Sequence, residues 1–195
     1  MKLWILSDMH ADRGIEDIAV HAPDFDIFVC AGDVLSGDIG LSIEMVAAIA
    51  AGKPAVFVAG NHEWRGILDK VVYDGRAAAD KHGVNWLELD AVEIGGIRFA
   101  GATLWTPEDV RFAPSVMALA RANADVVVTH FPPPEKEVRF ALPAGGTWVC
   151  GHHHGFEDYA VAGRRVVRNA LGYGAGEELV DSLPAREDFV VEIGT

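Results

Sequence analysis

Cysteine is scarce in this sequence: 195 residues contain two, Cys30 and Cys150, and no C-x-x-C pair. That excludes a disulfide framework and a thiolate zinc site. Each cysteine ends an apolar run just before a glycine-containing turn, which reads as a buried free thiol. Basic side chains are also few, 16 Lys and Arg against 29 Asp and Glu, for a net charge of -13. A broad footprint on a nucleic-acid backbone needs clustered Lys and Arg, so no extended nucleic-acid surface is expected. Long apolar runs are missing too. Stretches such as Ala55–Gly60 fall far short of the roughly 18–20 residues that span a bilayer. The apolar N-terminal run stops at Asp8, too early for a signal peptide, so a cytoplasmic protein without a membrane partner is expected. No repeat, low-complexity stretch or linker divides the chain. With 50% hydrophobic and 23% charged residues, one globular domain over residues 1–195 is the expectation.

What is present is an alternation of strands and helices. Lys2–Ser7 and Asp26–Cys30 read as buried strands, with a short helix over Gly14–Val20 stopped by His21-Ala22-Pro23. Ile39–Ala51 carries apolar residues at helical spacing, Met45 among them, and is closed by Gly52-Lys53-Pro54. Ala55–Ala59 is a third buried strand, followed by a helix over Ile67–Lys81 that His82-Gly83 closes. This order predicts an α/β unit with parallel strands. Farther on, Trp86–Leu89, Ala91–Ile94 and Ile97–Trp105 read as strands, the last two joined at Gly95-Gly96 in a hairpin. Ser115–Asn123 is helical and Asp125–Thr129 is a strand, after which Phe131-Pro132-Pro133-Pro134 forces an irregular loop. Thr147–Cys150 is a strand, Tyr159–Val161 and Arg165–Arg168 form a hairpin about Ala162-Gly163, and Asp188–Ile193 closes the chain. Two sheets with helices outside fit this order; one all-parallel sheet does not. His21 and His82 read as capping or surface residues, and the polar run Glu177–Pro184 carries nothing functional.

The informative feature is where the strands stop. Five apolar runs end in Asp8-Met9-His10, Gly32-Asp33, Gly60-Asn61-His62-Glu63, Thr129-His130 and Gly151-His152-His153-His154. Ligands of open α/β sheets bind at the carboxyl ends of strands, so these ends are candidates for one cleft. Any one of them alone is an ordinary turn; five in this order are not. Asp, His and Asn are donors suited to first-row divalent ions, and no cysteine sits among them. Asp8 and His10, like His152 and His154, are two residues apart and would share a face on a continuing strand. A carboxylate can bridge two ions about 3.5–4 Å apart, as paired-metal hydrolytic sites require.

These motifs, D-x-H, G-D, G-N-H-[DE], a strand-terminal H and G-H-x-H, resemble those of the calcineurin-like metallophosphoesterase superfamily. Gly101–Trp105 and the stretch from Asn169 through Gly172-Tyr173 resemble segments of its bacterial members. The resemblance implies a four-layer αββα sandwich with two mixed β-sheets flanked by helices. It implies two divalent metal ions, manganese foremost with iron, zinc, nickel or cobalt as alternatives. Asp8, His10, Asp33 and His154 would hold one ion. Asp33, Asn61, His130 and His152 would hold the other, with Asp33 bridging. His62 would contact the phosphate with Asn61 and protonate the leaving oxygen, while His153 would face away. One departure is visible: many relatives carry an acidic residue shortly after the G-D pair, whereas Val34-Leu35-Ser36 offers none before Asp38.

The implied reaction is hydrolysis of a phosphodiester or phosphomonoester by in-line attack of a metal-bridging hydroxide. Two ions at about +4, two carboxylates and one hydroxide leave a centre near +1, which attracts a phosphate despite the acidic chain. Glu63 or Asp38 is the expected partner that orients His62 or raises its pKa. Arg13, Trp64, Arg65, Trp105, Arg111 and Phe131 flank these loops and are candidates for selecting a small phosphorylated substrate. The alternative is a catalytically inactive metal-binding or scaffold protein on the same fold, against which the complete donor set counts. A DNA nuclease would want a basic groove, and a mononuclear zinc hydrolase would not need Asn61 and the doubled histidine ends.

Overall fold

A computed structural model describes residues 1–13, 22–173 and 183–194. The helix expected over Gly14–Val20, His21 and most of the run Glu177–Pro184 lie outside the described residues. The chain begins β1 (Lys2–Leu6), a 3-10 turn at Ala11–Arg13, β2 (Ile27–Cys30), α1 (Ile39–Ala50), β3 (Ala55–Phe57), α2 (Leu68–His82) and β4 (Val84–Trp86). It continues through β5 (Asp90–Ile94), β6 (Ile97–Ala102), α3 (Phe112–Ala122), β7 (Val126–Thr129), α4 (Glu135–Ala141) and β8 (Thr147–Cys150). Last come β9 (Gly155–Val161), β10 (Arg164–Ala170) and β11 (Val190–Glu192).

The first sheet runs β11-β1-β2-β3-β4 and the second β5-β6-β7-β8-β10-β9. Both are mixed. β11 pairs antiparallel with β1 at the edge of a parallel set, and the second sheet has an antiparallel partner at each edge.

Side chains alternate across a strand, so a strand buried on both faces must be apolar at successive positions. β1 shows the consequence. Leu3 and Ile5 point into the gap between the sheets and meet Phe99, Val126 and Val149, while Trp4 and Leu6 point outward and join Ile43 and Val46 of α1. β7 and β8 repeat it: Val126, Val128 and Val149 face the other sheet, and Val127 and Trp148 face Val116 and Leu119 of α3. Three apolar layers therefore separate four layers of secondary structure, the αββα sandwich. Each buried Leu, Ile or Phe in them contributes about 1.5–3 kcal/mol.

Several elements differ from expectation: α3 starts at Phe112 and β9 at Gly155, each earlier than expected, and α4 and β4 differ more. α4 forms immediately after the proline run, because a proline obstructs helix before itself but is well placed at a helix start. Pro134 takes the capping position, Glu135 and Glu137 stand in the first turn and Arg139 in the last, each on the favourable end of the dipole. β4 occupies Val84–Trp86 instead of Trp86–Leu89. Asn85 is tolerated there because its amide donates to Ala55 O at 3.0 Å.

The ends of β1, β2, β3, β7 and β8 carry the five polar motifs, and the two sheets are stitched together at that end. Ser7 N donates to Asn169 O (3.1 Å), and Leu171 N and Gly172 N donate to Ser7 O and Asp8 O (both 2.9 Å). The fully buried Asn169 amide adds bonds to Ile5 O (2.8 Å) and Arg186 O (2.7 Å). Cys30 and Cys150 are buried free thiols. No helix among the described residues is long and apolar enough to cross a membrane.

Candidate metal centre

The strand ends deliver three overlapping groups of donors, each with ligand atoms within 4.8 Å of one another: Asp8, His10 and His154; His10, Asp33 and His62; Asp33, His130 and His152. Asp33 Oδ2 lies 3.5 Å from His130 Nε2, 3.9 Å from His62 Nε2 and 4.0 Å from His10 Nε2. Asp8 Oδ1 lies 3.8 Å from His154 Nε2. Asn61 Oδ1 stands 3.0 Å from His130 Nε2 and 3.1 Å from His152 Nδ1. All seven residues proposed as ligands from sequence are thus brought together, and His62 stands beside them. His153 is exposed.

The donor set fits divalent ions. His10 Nε2 and His154 Nε2 approach to 3.2 Å, close to the separation of two donors sharing one ion at bonds of about 2.1 Å. The buried His10 Nδ1 has no hydrogen-bond partner. His130 Nδ1 lies 2.8 Å from Ala31 O, to which it donates as N–H, so Nε2 presents its lone pair to the centre. Burial holds His10 and His152 down to about 4 and His130 to about 3, so all three are neutral donors at neutral pH. Burial and the neighbouring Asp33 push Asp8 well above the ordinary carboxylate range, which is the electrostatic strain that a cation relieves.

The backbone is bent to make this possible. Asp8, His10, Asp33 and His152 all have left-handed φ, between 43° and 69°. Such conformations cost of order 1–3 kcal/mol each in non-glycine residues and persist where the surroundings fix them. Here the surroundings do so: His152 N donates to both Asp8 oxygens (3.1 and 3.0 Å), Ser7 Oγ donates to Asp8 Oδ2 (2.5 Å) and His62 N donates to Asp33 Oδ1 (2.9 Å). Gly60 allows the closest approach, since a Cβ there would sit 2.1 Å from Asp33 Oδ1.

Glu63 does not partner His62. It is fully buried and turns inward, where its carboxylate accepts from Asp33 N (2.9 Å), Val34 N (2.7 Å), Leu35 N (3.1 Å), Gly60 N (2.7 Å) and Ser42 Oγ (3.1 Å). It ties the Gly32-Asp33 loop to the Gly60-Asn61 loop. Asp38 caps α1 by accepting from Leu41 N at 2.9 Å. Besides Asp33, groups at the His62 ring include Ser36 Oγ, 3.0 Å from Nδ1, and Arg65 Nη2, 3.1 Å from Nε2. Ser7 and Ser36 escaped the sequence reading because a serine beside a motif is unremarkable until the fold aims its hydroxyl. Tyr173 packs on His10 and His154, with ring centroids 4.5 and 4.6 Å away.

Neutral buried imidazoles make metal-free stability depend on pH. For His130 the folded chain resists protonation down to about pH 3, while the unfolded chain binds a proton near 6.5. Its contribution is therefore complete above pH 6.5 and is lost as pH falls toward 3. In chelator, the stability of the wild type relative to His130→Gln is expected to fall over that window by up to about 1.4 kcal/mol per pH unit. Urea unfolding of both proteins from pH 7 to pH 4 checks this; a constant difference contradicts it.

A layered α/β sandwich with Asp, His and Asn donors converging at its strand ends defines a class of metal-binding folds. A family model for the calcineurin-like phosphoesterases matches residues 1–156, and the chain belongs to that family. Among solved structures it is similar to the phosphopantetheinyl hydrolase of Mycobacterium tuberculosis, at 17% identity and a TM-score of 0.60 over 88% of this chain and 89% of that one. It is also similar to a Staphylococcus aureus protein provisionally assigned as a 5'-nucleotidase, at 13% identity and a TM-score of 0.55, over 89% of this chain and 49% of that one. These likenesses show the fold. Among curated protein sequences no significant match is found.

Proposed function

We propose that the chain hydrolyses a small phosphorylated substrate, a diester ahead of a monoester, at a centre of two divalent ions, manganese foremost. The supporting observation is that Asp33 belongs to two of the three groups of donors, with His10 and His62 in one and His130 and His152 in the other, its Oδ2 4.0 Å from His10 Nε2 and 3.5 Å from His130 Nε2. One carboxylate shared by two imidazole sets is the arrangement a paired-metal site needs. Asp8, His10 and His154 would complete the first ion, and Asn61, His130 and His152 the second. When bound, the ions supply an activated water nucleophile and neutralise charge developing on the phosphoryl group.

The chain's own residues do the rest. Asn61 Oδ1 is turned to His130 and His152, which leaves its amide N–H groups to donate to a phosphoryl oxygen. His62 is the proton donor to the leaving oxygen through Nε2, with Ser36 holding the ring at Nδ1. Arg65 donates to Nε2 in this state, so Nε2 carries no proton; substrate oxygens take over the Arg65 N–H and Nε2 takes up a proton from solvent water before passing one to the leaving oxygen.

The test is metal-stripped protein assayed on bis-p-nitrophenyl phosphate and p-nitrophenyl phosphate with Mn, Ni, Co, Zn or Mg restored. Turnover should return with metal, favour the diester, and fall about 100- to 10,000-fold in His62→Ala, the range of a general acid. Stoichiometric metal without turnover on either ester would replace this reading with a metal-binding scaffold.

A further inference from the structure

Beside the metal centre lies a half-open cavity of about 180 Å³ that the reaction as described does not use, with Trp64, Trp105, Leu68, Glu88, Val110 and Arg111 in its walls. It connects to the centre through aromatic rings. The His152 ring packs on Phe131 (centroids 4.1 Å), Phe131 on Trp105 (5.8 Å) and Trp105 on Trp64 (6.4 Å). Its floor is built. Trp64 Nε1 donates to Thr103 Oγ1 (2.7 Å), which in turn donates to Ala59 O (2.9 Å), so the indole is pinned to the end of β3. Leu104 and Trp105 are held in successive left-handed conformations, φ 74° and 62°. Strain of this kind clusters where a side chain is aimed for use.

The charges in the wall are already spent on protein partners. Arg111 lies over the Trp105 ring, 3.3 Å from its centroid, and its guanidinium is held by Asp109 through bonds of 2.8 and 2.6 Å. Glu88 Oε2 accepts from Thr103 N at 2.9 Å and lies 2.8 Å from Thr103 Oγ1, whose one hydrogen it shares with Ala59 O. An anion would meet an Arg111 already neutralised by Asp109, and a cation drawn to Glu88 would meet the Arg111 guanidinium in the same wall. Ser115 Oγ, the other polar side chain in the wall, donates to Arg111 O at 2.7 Å, and the rest is indole and aliphatic, with Leu68 and Val110 exposed at the rim. The volume is close to the roughly 150 Å³ of an apolar cavity that holds one benzene ring.

We infer that this cavity is a subsite for a neutral apolar substituent of the phosphoester, about the size of one six-membered ring, carried a short spacer away from the phosphorus. The inference rests on the phosphoesterase reading and names the kind of ester that site prefers. The spacer is required because Trp105 is separated from the metal-centre residue His152 by the Phe131 ring. Apolar burial of one ring against the two indoles, Leu68 and Val110 is the source of selectivity.

The test uses manganese-loaded protein and hydrolysis-resistant phosphonates: methylphosphonate, and phenylalkylphosphonates with spacers from none to four methylenes. Affinity is read by calorimetry, so no turnover is needed. The wild type should bind the best phenylalkyl member at least about 10-fold tighter than methylphosphonate, with an optimum at an intermediate spacer. In Trp105→Ala, and in Leu68→Trp, which fills the mouth from another element, that ratio should fall to about twofold or less. A wild-type ratio near unity, a gain that climbs with spacer length without an optimum, or an unchanged ratio in both variants would overturn the subsite. Turnover of bis-p-nitrophenyl phosphate on the same preparation judges the phosphoesterase reading separately: turnover with a flat phosphonate series sinks only the subsite.

Discussion

Asp33→Asn is expected to reduce metal-restored turnover by more than about 100-fold and to lower the metal bound per chain. Residues that only orient a ligand already cost 10- to 100-fold, and Asp33 is shared between two donor sets. The substitution keeps an oxygen able to accept from His62 N, as Asp33 Oδ1 does at 2.9 Å. It removes the negative charge that faces His10, His62 and His130 within 4.0 Å. The loss would therefore arise at the metals and leave the loop in place. Elemental analysis beside the esterase assay checks both halves, and full metal content with full turnover would refute the bridging role.

Glu63→Gln should be the most damaging single-atom change to stability, by about 2–4 kcal/mol, with Glu63→Ala worse. A buried donor that loses its acceptor costs about 1–3 kcal/mol, and Glu63 serves four backbone N–H groups and one hydroxyl. Glutamine must turn an NH₂ toward some of those donors, whichever way it flips. Burial and Asp33 push the Glu63 carboxyl up, and the bonds from Leu35, Gly60 and Asp33 act against that rise. Asp38→Ala, by contrast, removes one helix cap and should cost about 1 kcal/mol. Urea unfolding of the three variants separates the cases. If Glu63→Gln kept its stability and only moved the pH–rate profile, Glu63 would act through His62 after all.

Local pattern made much of this legible. Runs of consecutive apolar residues marked β1, β2 and β7 as strands buried on both faces, and the polar group ending each run marked the ligand positions. The hairpins at Gly95-Gly96 and Ala162-Gly163 followed from turn chemistry, and both strand pairs form. α4 was not legible, because three prolines hide a start signal that lies just beyond them. β4 was displaced because a three-residue Val-Asn-Trp alternation is too short to stand out from the apolar residues that follow it.

The sequence by itself determined which residues are metal-centre candidates, since donor chemistry and position after a strand are local properties. The order of its elements pointed to two sheets with helices outside, and the resemblance carried by the five motifs implied the four-layer sandwich. Only the tertiary structure decided the partners. Glu63 neighbours His62 along the chain yet turns into the interior, because successive side chains in a tight turn diverge and four unpaired N–H groups lay on one side. Likewise Trp64, Trp105 and Phe131 come from three separate connections and meet only because β3, β6 and β7 end at the same edge of two packed sheets. Contacts between distant segments are set by how the layers pack, and no spacing along a single chain encodes that distance.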